Sequence, residues 1–213
     1  QLFSLRSFAA AVAFSKTEVL QTAIFEALIL GVVVTLQTGV AIAIGVFATV
    51  MLAFVKARFS LAHITESIMS RQMAIGLAAG AFLGFCTVCY GAALKETLGG
   101  TAFGNAVYAA AIGVTIQAIC FGAYLYVVKR RELIASCVKW RGGAMAGVWA
   151  AITSICWFAA FATHEVAPVR AVGQIELLFS IGFSILYFKE RVNRLELAAM
   201  GLLALSIVMV LLD

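Results

Sequence analysis

The sequence predicts an all-α fold, a polytopic helical membrane bundle, from its composition, its hydropathy and the length of its apolar runs. Of the 213 residues, 64% are apolar and 12% are charged, whereas a soluble domain has about 25% charged residues. The mean hydropathy is +1.07. The apolar residues form runs near the length that crosses a bilayer as a helix, about 20 residues. The runs lack the period of two that barrel strands require, so helical spans are predicted.

The order of the predicted spans follows from these runs. They cover residues 9–32, 33–54, 73–94, 103–128, 144–163, 169–188 and 195–212. Between the second and third spans, residues 56–71 are predicted to form a short interfacial segment, because Leu61, Ile64 and Ile68 share one helical face. This connection is also the predicted boundary between two halves of the chain.

Small residues in the third span suggest close packing. Gly76, Gly80 and Gly84 recur at four-residue spacing, which predicts a close helix contact, within the chain rather than between chains. Cys86 and Cys89 have the spacing of a redox or metal pair. No second cysteine pair or nearby histidine completes such a site, so plain packing is the favoured interpretation.

The composition argues against several function classes. Asp213 is the only aspartate, and His63 and His164 are the only histidines, so a metal site is not expected. The sequence has no Walker motif, no Gly-x-Ser-x-Gly turn and no His-Glu-x-x-His pair, which argues against an ATP-driven pump and against an enzyme. No polar domain remains to bind nucleic acid. No cofactor is predicted.

An internal repeat is the most informative feature of the sequence. A shift of 158 positions places Glu18 on Glu176 and residues 32–35 on residues 190–193. The domain prediction is therefore the C-terminal part of a first repeat (1–54), a connecting loop (55–72) and a complete second repeat of five spans (73–213). The first repeat is expected to be incomplete, lacking roughly 85 to 90 residues before Gln1. Two five-span repeats are inverted in the membrane, which is the architecture of many secondary transporters.

Three motifs of the second repeat resemble a known family. Ala167-Pro168-Val169, residues 176–180 and residues 188–191 resemble the last two helices of an EamA-type permease of the drug/metabolite transporter superfamily. Leu30-Gly31, followed by residues 35–37, resembles the motif that closes the first repeat, with Val32 where the family usually has Glu. The resemblance implies a ten-helix permease for small metabolites in the bacterial inner (plasma) membrane.

Polar side chains within the spans are candidates for a substrate site, because an ionisable group at the bilayer centre costs roughly 3 kcal/mol or more. The polar stripes of the two copies are predicted to face each other across a pseudo-two-fold axis. Interhelical hydrogen bonding is the alternative, with Arg170 snorkelling or Lys16 merely neutralising a glutamate. Lys16 and Arg170 do not share a face with the glutamates of their own helices, so any ion pair is expected to form across helices. Glu26 has no counterpart in the second copy and is predicted to pack against a neighbour. The candidate residues are Lys16, Glu18, Gln21, Thr22, Gln174, Glu176 and Ser180.

Two aromatic residues extend the candidate site. Tyr108 and Trp157 are predicted to line the cavity, although packing or a place in the interfacial belt is the alternative. The function predicted from these features is secondary transport by alternating access, in the efflux direction, of a small organic metabolite, amine or amino acid. The expected partners are the lipid bilayer and this substrate, with a proton as a further candidate. The alternative is a non-transporting membrane scaffold or a truncated, inactive paralogue.

Basic residues predict the orientation of the chain. They are concentrated in alternate loops, around residues 56–71, 129–141 and 189–194. The positive-inside rule places these loops in the cytoplasm and Asp213 outside. The family resemblance instead implies that both ends lie in the cytoplasm.

Overall fold

The computed structural model describes residues 11–12, 14–56, 71–96, 100–138, 140–189 and 193–213. Within these ranges the chain is helical and contains no strand, which confirms the all-α prediction. The helices are α1 (Glu18–Leu30), α2 (Leu36–Lys56), α3 (Arg71–Lys95), α4 (Ala102–Val128), α5 (Arg130–Val138), α6 (Trp140–Thr163), α7 (Val166–Gly173), α8 (Ile175–Phe188) and α9 (Arg194–Leu211).

Six segments of the described chain are long and apolar enough to cross a membrane. They are Leu36–Val55, Met73–Lys95, Ala102–Val128, Trp140–Thr163, Val166–Tyr187 and Arg194–Leu211. Each corresponds to a predicted apolar run, and together they fit a multi-pass helical membrane bundle. The first predicted run, 9–32, lies partly outside the described residues, and its described part contains the 13-residue helix α1. The predicted interfacial segment falls mostly on residues 57–70, which also lie outside the description.

The chain groups into two compact units. The first comprises residues 1–89 and 165–213, and the second comprises residues 90–164. In the first unit, α2 and α9 pack antiparallel along their lengths. Ala41 contributes to the same buried cluster as Val210, Ala48 joins Leu203 in a second cluster, and Leu52 joins Ala199 in a third. Small residues alternate with larger ones along this contact, which lets the two helices approach closely.

The glycines of α3 make the predicted close contact within the chain. A Cβ on Gly84 would lie 2.8 Å from Thr22 Oγ1 and 3.2 Å from the Thr22 backbone nitrogen. A Cβ on Gly80 would lie 3.0 Å from the Ser15 carbonyl oxygen. One face of α3 therefore packs against the first turns of α1 and the segment that precedes it, which confirms the intrachain prediction.

The second unit has little buried surface. Only 6% of the most apolar window of α4, and the same fraction of α6, is buried inside the structure. Tyr90 stacks on Phe158 with ring centroids 4.6 Å apart, and Trp157 lies 5.5 Å from Phe161. Apolar helices with so much exposed surface, whose backbone groups bond within each helix, suit a lipid environment.

Candidate functional site

Helix breaks position the polar residues of the first unit. Helix α7 ends at Gly173 and α8 begins at Ile175, so Gln174 lies at a turn between them. A second turn, at Lys16 and Thr17, precedes α1. Each break is followed at once by an acidic residue in the first turn of a helix, Glu18 in α1 and Glu176 in α8. The positive end of the helix dipole favours a carboxylate at these places.

Two ion pairs connect the segment around α1 with the segment of α7 and α8. Arg170 of α7 pairs with Glu18, and both side chains are largely buried, at 17% and 9% exposure. Lys16 Nζ lies 3.5 Å from Glu176 Oε1, with side chains 26% and 63% exposed. Each acid is thus paired with a cation from the other segment, which agrees with the expectation that pairing comes across helices. The four charges balance, and the Lys16–Glu176 pair is the more accessible of the two.

Neutral polar groups surround these pairs. Thr22 is fully buried and its hydroxyl donates to the Glu18 carbonyl oxygen at 2.7 Å. Gln21 Nε2 donates to the Leu77 carbonyl oxygen at 3.3 Å. Gln174 is 7% exposed, and its Oε1 has no hydrogen-bond partner among the described residues. A buried amide oxygen without a donor is costly, so this atom is an unsatisfied acceptor within the packed structure.

A crevice adjoins Gln174 at the junction of α1, α2, α7 and α9. It is small and mainly apolar, and Ser206 supplies its second polar side chain. The Ser206 hydroxyl donates to the Ala41 carbonyl oxygen at 2.7 Å and is therefore already engaged. Gln174 is the polar group of this crevice with unused bonding capacity. The lining residues are Val19, Ile42, Gly45, Val46, Ala171, Gln174 and Ser206.

Glu26 caps a helix that is remote in sequence. It is fully buried, and its two carboxylate oxygens accept hydrogen bonds of 2.7 Å from the backbone N–H groups of Val166 and Ala167. These are the first two residues of α7, and Pro168, the third, has no N–H to satisfy. The Val169 N–H donates to the Glu165 carbonyl oxygen at 3.3 Å. All four N-terminal positions of α7 are therefore accounted for.

The structure gathers most of the predicted site residues in one place. Lys16, Glu18, Gln21, Thr22, Gln174 and Glu176 all lie in the first unit, at or beside the two helix breaks. Ser180 is exposed on α8, one turn beyond Glu176. Tyr108, which is 56% exposed, and the partly buried Trp157 belong to the second unit.

Sequence reasoning left Glu26 and Arg170 out of the candidate site. Glu26 was expected to pack against a neighbour. Its role as the N-terminal cap of α7, a helix distant from it in sequence, was not predicted. A signal was present in the sequence, because Pro168 marks the first turn of a helix, where a carboxylate is favoured. Arg170 was expected to snorkel or to pair across helices, and its contact with Glu18 fits the second alternative.

Chemically, the arrangement offers paired charges and two buried amide oxygens without a donor among the described residues, Gln21 Oε1 and Gln174 Oε1. Among the residues that the structure describes, no group of three or more His, Cys, Asp or Glu side chains is close enough to hold a metal ion. Comparison with known proteins found no matching family model, no matching curated protein and no matching solved structure.

Proposed function

We propose that this chain belongs to a secondary transporter, an EamA-type permease of the drug/metabolite transporter superfamily. It moves a small organic metabolite, amine or amino acid outwards across the bacterial inner membrane by alternating access. The observation that supports the proposal is a reciprocal set of two ion pairs. Arg170 of α7 pairs with Glu18 of α1, and Lys16, just before α1, pairs with Glu176 of α8. Charged groups within membrane-spanning segments mark substrate or ion pathways by default.

Matched element boundaries support an inverted repeat as part of this proposal. Helix α1 ends at Leu30 and α8 at Phe188, positions whose numbers differ by 158. The next residues, Gly31 and Lys189, both have left-handed backbone, with φ of 67° and 52°. Helices α2 and α9 then begin at Leu36 and Arg194, again 158 apart. The same sequence shift that aligns Glu18 with Glu176 thus aligns three features of the backbone.

The accessible ion pair suggests how a substrate enters the cycle. Glu176 is 63% exposed, and its 3.5 Å contact with Lys16 is loose for an ion pair. An ammonium group of a substrate, or a proton, competes with Lys16 for this carboxylate. Gln174 Oε1, buried in the described conformation, accepts a further hydrogen bond from the same substrate when the crevice beside it opens during the cycle. Discontinuous helices with such groups at their ends are how many transporters bind substrate near the membrane midplane.

Substrate flux across a pH series tests this proposal. The parent protein is reconstituted in proteoliposomes, and exchange of a panel of amines, amino acids and small acids is compared for the native protein and for Glu176→Gln. The matched control is Glu132→Gln, which removes an exposed carboxylate of α5 that pairs with Lys129. We expect Glu176→Gln to lose most of its flux and its pH dependence, while Glu132→Gln transports normally. A correctly inserted Glu176→Gln variant with native flux and native pH dependence would rule the site out.

One observation favours the alternative, a non-transporting scaffold. The buried Glu26 and the largely buried Arg170–Glu18 pair hold α1 against α7, as expected of structural contacts. Under this alternative no member of the panel exchanges in the native protein, and Glu176→Gln changes neither insertion nor stability. Measurable exchange of any one substrate by the native protein excludes the scaffold.

A further inference from the structure

Helix α5 lies at a membrane surface. It connects the candidate spans Ala102–Val128 and Trp140–Thr163. With 9 residues it is only about 14 Å long at the helical rise, far short of the hydrocarbon thickness. When the flanking helices both span the bilayer, their connected ends reach the same surface. The described residues 129–138, 140 and 141 therefore meet the headgroup region of one leaflet.

The two sides of α5 differ in polarity. At helical spacing, Ile134 and Val138 fall on the same side as Leu133 and Cys137, and Arg130 begins that side one turn before Ile134, whereas Glu132 and Ser136 fall on the other. Ile134 is 55% exposed and Val138 is 75% exposed. A short helix with one exposed apolar side, placed between two spans, rests in the interface with that side toward the acyl chains.

Basic side chains lie at the N-terminal end of this side and around it. Lys129, Arg130, Arg131 and Arg141 are all exposed, and within the described part of residues 129–141 Glu132 is the one acidic residue. Glu132 pairs with Lys129 at 3.1 Å and so neutralises that lysine. The three arginines leave a net positive surface. Guanidinium groups are suited to phosphate because they donate two parallel hydrogen bonds.

Aromatic residues fix the depth of this surface. Tyr126 and Trp140 flank α5 in sequence, and their side chains are 59% and 61% exposed. The guanidinium carbon of Arg130 lies 5.4 Å from the centre of the Tyr126 ring. Tyrosine and tryptophan are enriched at the level of the headgroups, so this pair holds an arginine at the height of the lipid phosphates.

We propose that Arg130, Arg131 and Arg141, with Tyr126 and Trp140, form a binding surface for the phosphate groups of anionic phospholipids. We call it the basic interfacial surface. The proposal does not depend on transport activity, since it follows from charge, exposure and position between two spans. Each Lys or Arg near an anionic leaflet changes affinity about fivefold, so three arginines provide selectivity on the order of 100-fold over a zwitterionic lipid.

Lipid selectivity measured on the whole chain tests the proposal. The chain is reconstituted in mixed bilayers, and electron paramagnetic resonance gives the relative association of spin-labelled phosphatidylglycerol and spin-labelled phosphatidylcholine. Two variants are compared, Arg130→Gln/Arg131→Gln/Arg141→Gln and a control that leaves the net charge of the same surface unchanged, Lys129→Gln/Glu132→Gln. We expect the first to lose the preference for phosphatidylglycerol and the control to keep it within about twofold. Equal association of both lipids with the native chain, or equal loss in both variants, overturns the proposal.

A second measurement does not require the triple variant to fold. In a chain carrying Trp149→Phe and Trp157→Phe, Trp140 is the only tryptophan. We expect its fluorescence to be quenched more strongly by brominated phosphatidylglycerol than by brominated phosphatidylcholine, with the difference decreasing as salt is added. Quenching that is the same for both lipids, or that does not respond to salt, also overturns the proposal.

Discussion

The carboxylate of Glu26 accepts a hydrogen bond of 2.7 Å from the backbone N–H of Val166, the first residue of α7. The two residues are 140 positions apart in sequence. Glu165, at the position where a local cap would be, makes no side-chain capping bond. A buried carboxylate from α1 therefore replaces the local cap and fixes α7 in place. This contact also sets the position of Arg170, which lies in the same helix.

Glu26→Gln is expected to destabilise the chain. The amide oxygen accepts one of the two N–H groups, while the amide NH₂ leaves the other buried and unsatisfied, a loss of about 2 kcal/mol. Reversible unfolding of the micellar protein by dodecyl sulfate measures the change. Glu132→Gln, an exposed control, is expected to lie within about 0.5 kcal/mol of the native chain. Equal stability of the two variants would show that Glu26 does not act as the cap.

The arrangement of spans could be predicted because hydropathy is a local property of the sequence. The runs at 73–94 and 103–128 match α3 and α4 within two residues at each end. The break at Gln174 was not predicted, since the mean hydropathy of the whole segment stays high although Gly173, Gln174 and Glu176 interrupt it. The capping by Glu26 depends on a contact between distant segments, which periodicity does not report. For Glu18 and Arg170 the sequence indicated that a buried charge needs a partner of opposite sign, but not which residue that partner is.

The Arg170–Glu18 pair is expected to show strong coupling. Glu18→Gln leaves the largely buried Arg170 without its acid, which costs about 3 kcal/mol or more. The double variant Glu18→Gln/Arg170→Gln removes both charges and is expected to be less destabilised than the sum of the two single variants. The same double-mutant cycle on the exposed Lys129–Glu132 pair provides the control, with coupling of about 0.5 kcal/mol or less. Additive effects at Glu18 and Arg170 would contradict the pairing.

The backbone is left-handed at Gly31, after α1, and at Lys189, after α8. We therefore expect removal of glycine at the first position to lower stability and introduction of glycine at the second to raise it. Gly31→Ala places a side chain at φ 67° and is expected to cost about 1 kcal/mol. Lys189→Gly relieves the same strain at φ 52° and is expected to raise stability by about 0.5 kcal/mol. Gly201→Ala in α9 is the control, because a Cβ there meets open space and alanine favours the helix. If Gly31→Ala and Gly201→Ala lower stability to the same extent, the left-handed backbone does not explain the loss at Gly31.

The close approach of α3 to the α1 segment predicts sensitivity at Gly84. A methyl group there would lie 2.8 Å from Thr22 Oγ1 and 3.2 Å from the Thr22 backbone nitrogen. Because backbone must move, we expect Gly84→Ala to lower stability by about 1 to 3 kcal/mol. Gly122→Ala in α4 is the matched control, since nothing lies within 4 Å of its Cβ. Thermal unfolding in micelles compares the two, and an equal melting temperature would contradict the packing.

The stability of the first unit is expected to depend on pH through the carboxyl group of Asp213. Its carboxylate accepts hydrogen bonds from the hydroxyl groups of Thr35 and Thr38, the latter at 2.6 Å, and these bonds hold its pKa below the usual value of an aspartate. Thr35 directly precedes α2, so the carboxylate lies at the positive end of that helix. The contact therefore ties the end of α9 to the start of α2.

Since the folded-state pKa of Asp213 is depressed, its stabilising effect is complete above the ordinary aspartate pKa. The effect is lost as the pH falls through the lower, folded-state value. We expect Asp213→Asn to abolish this part of the acid dependence, and Thr35→Val/Thr38→Val to return the Asp213 pKa toward its ordinary value. Carbon-13 titration of the carboxyl in the micellar protein measures this pKa directly. A native pKa at or above the ordinary aspartate value would show that the two threonine bonds do not form, because both favour the charged carboxylate.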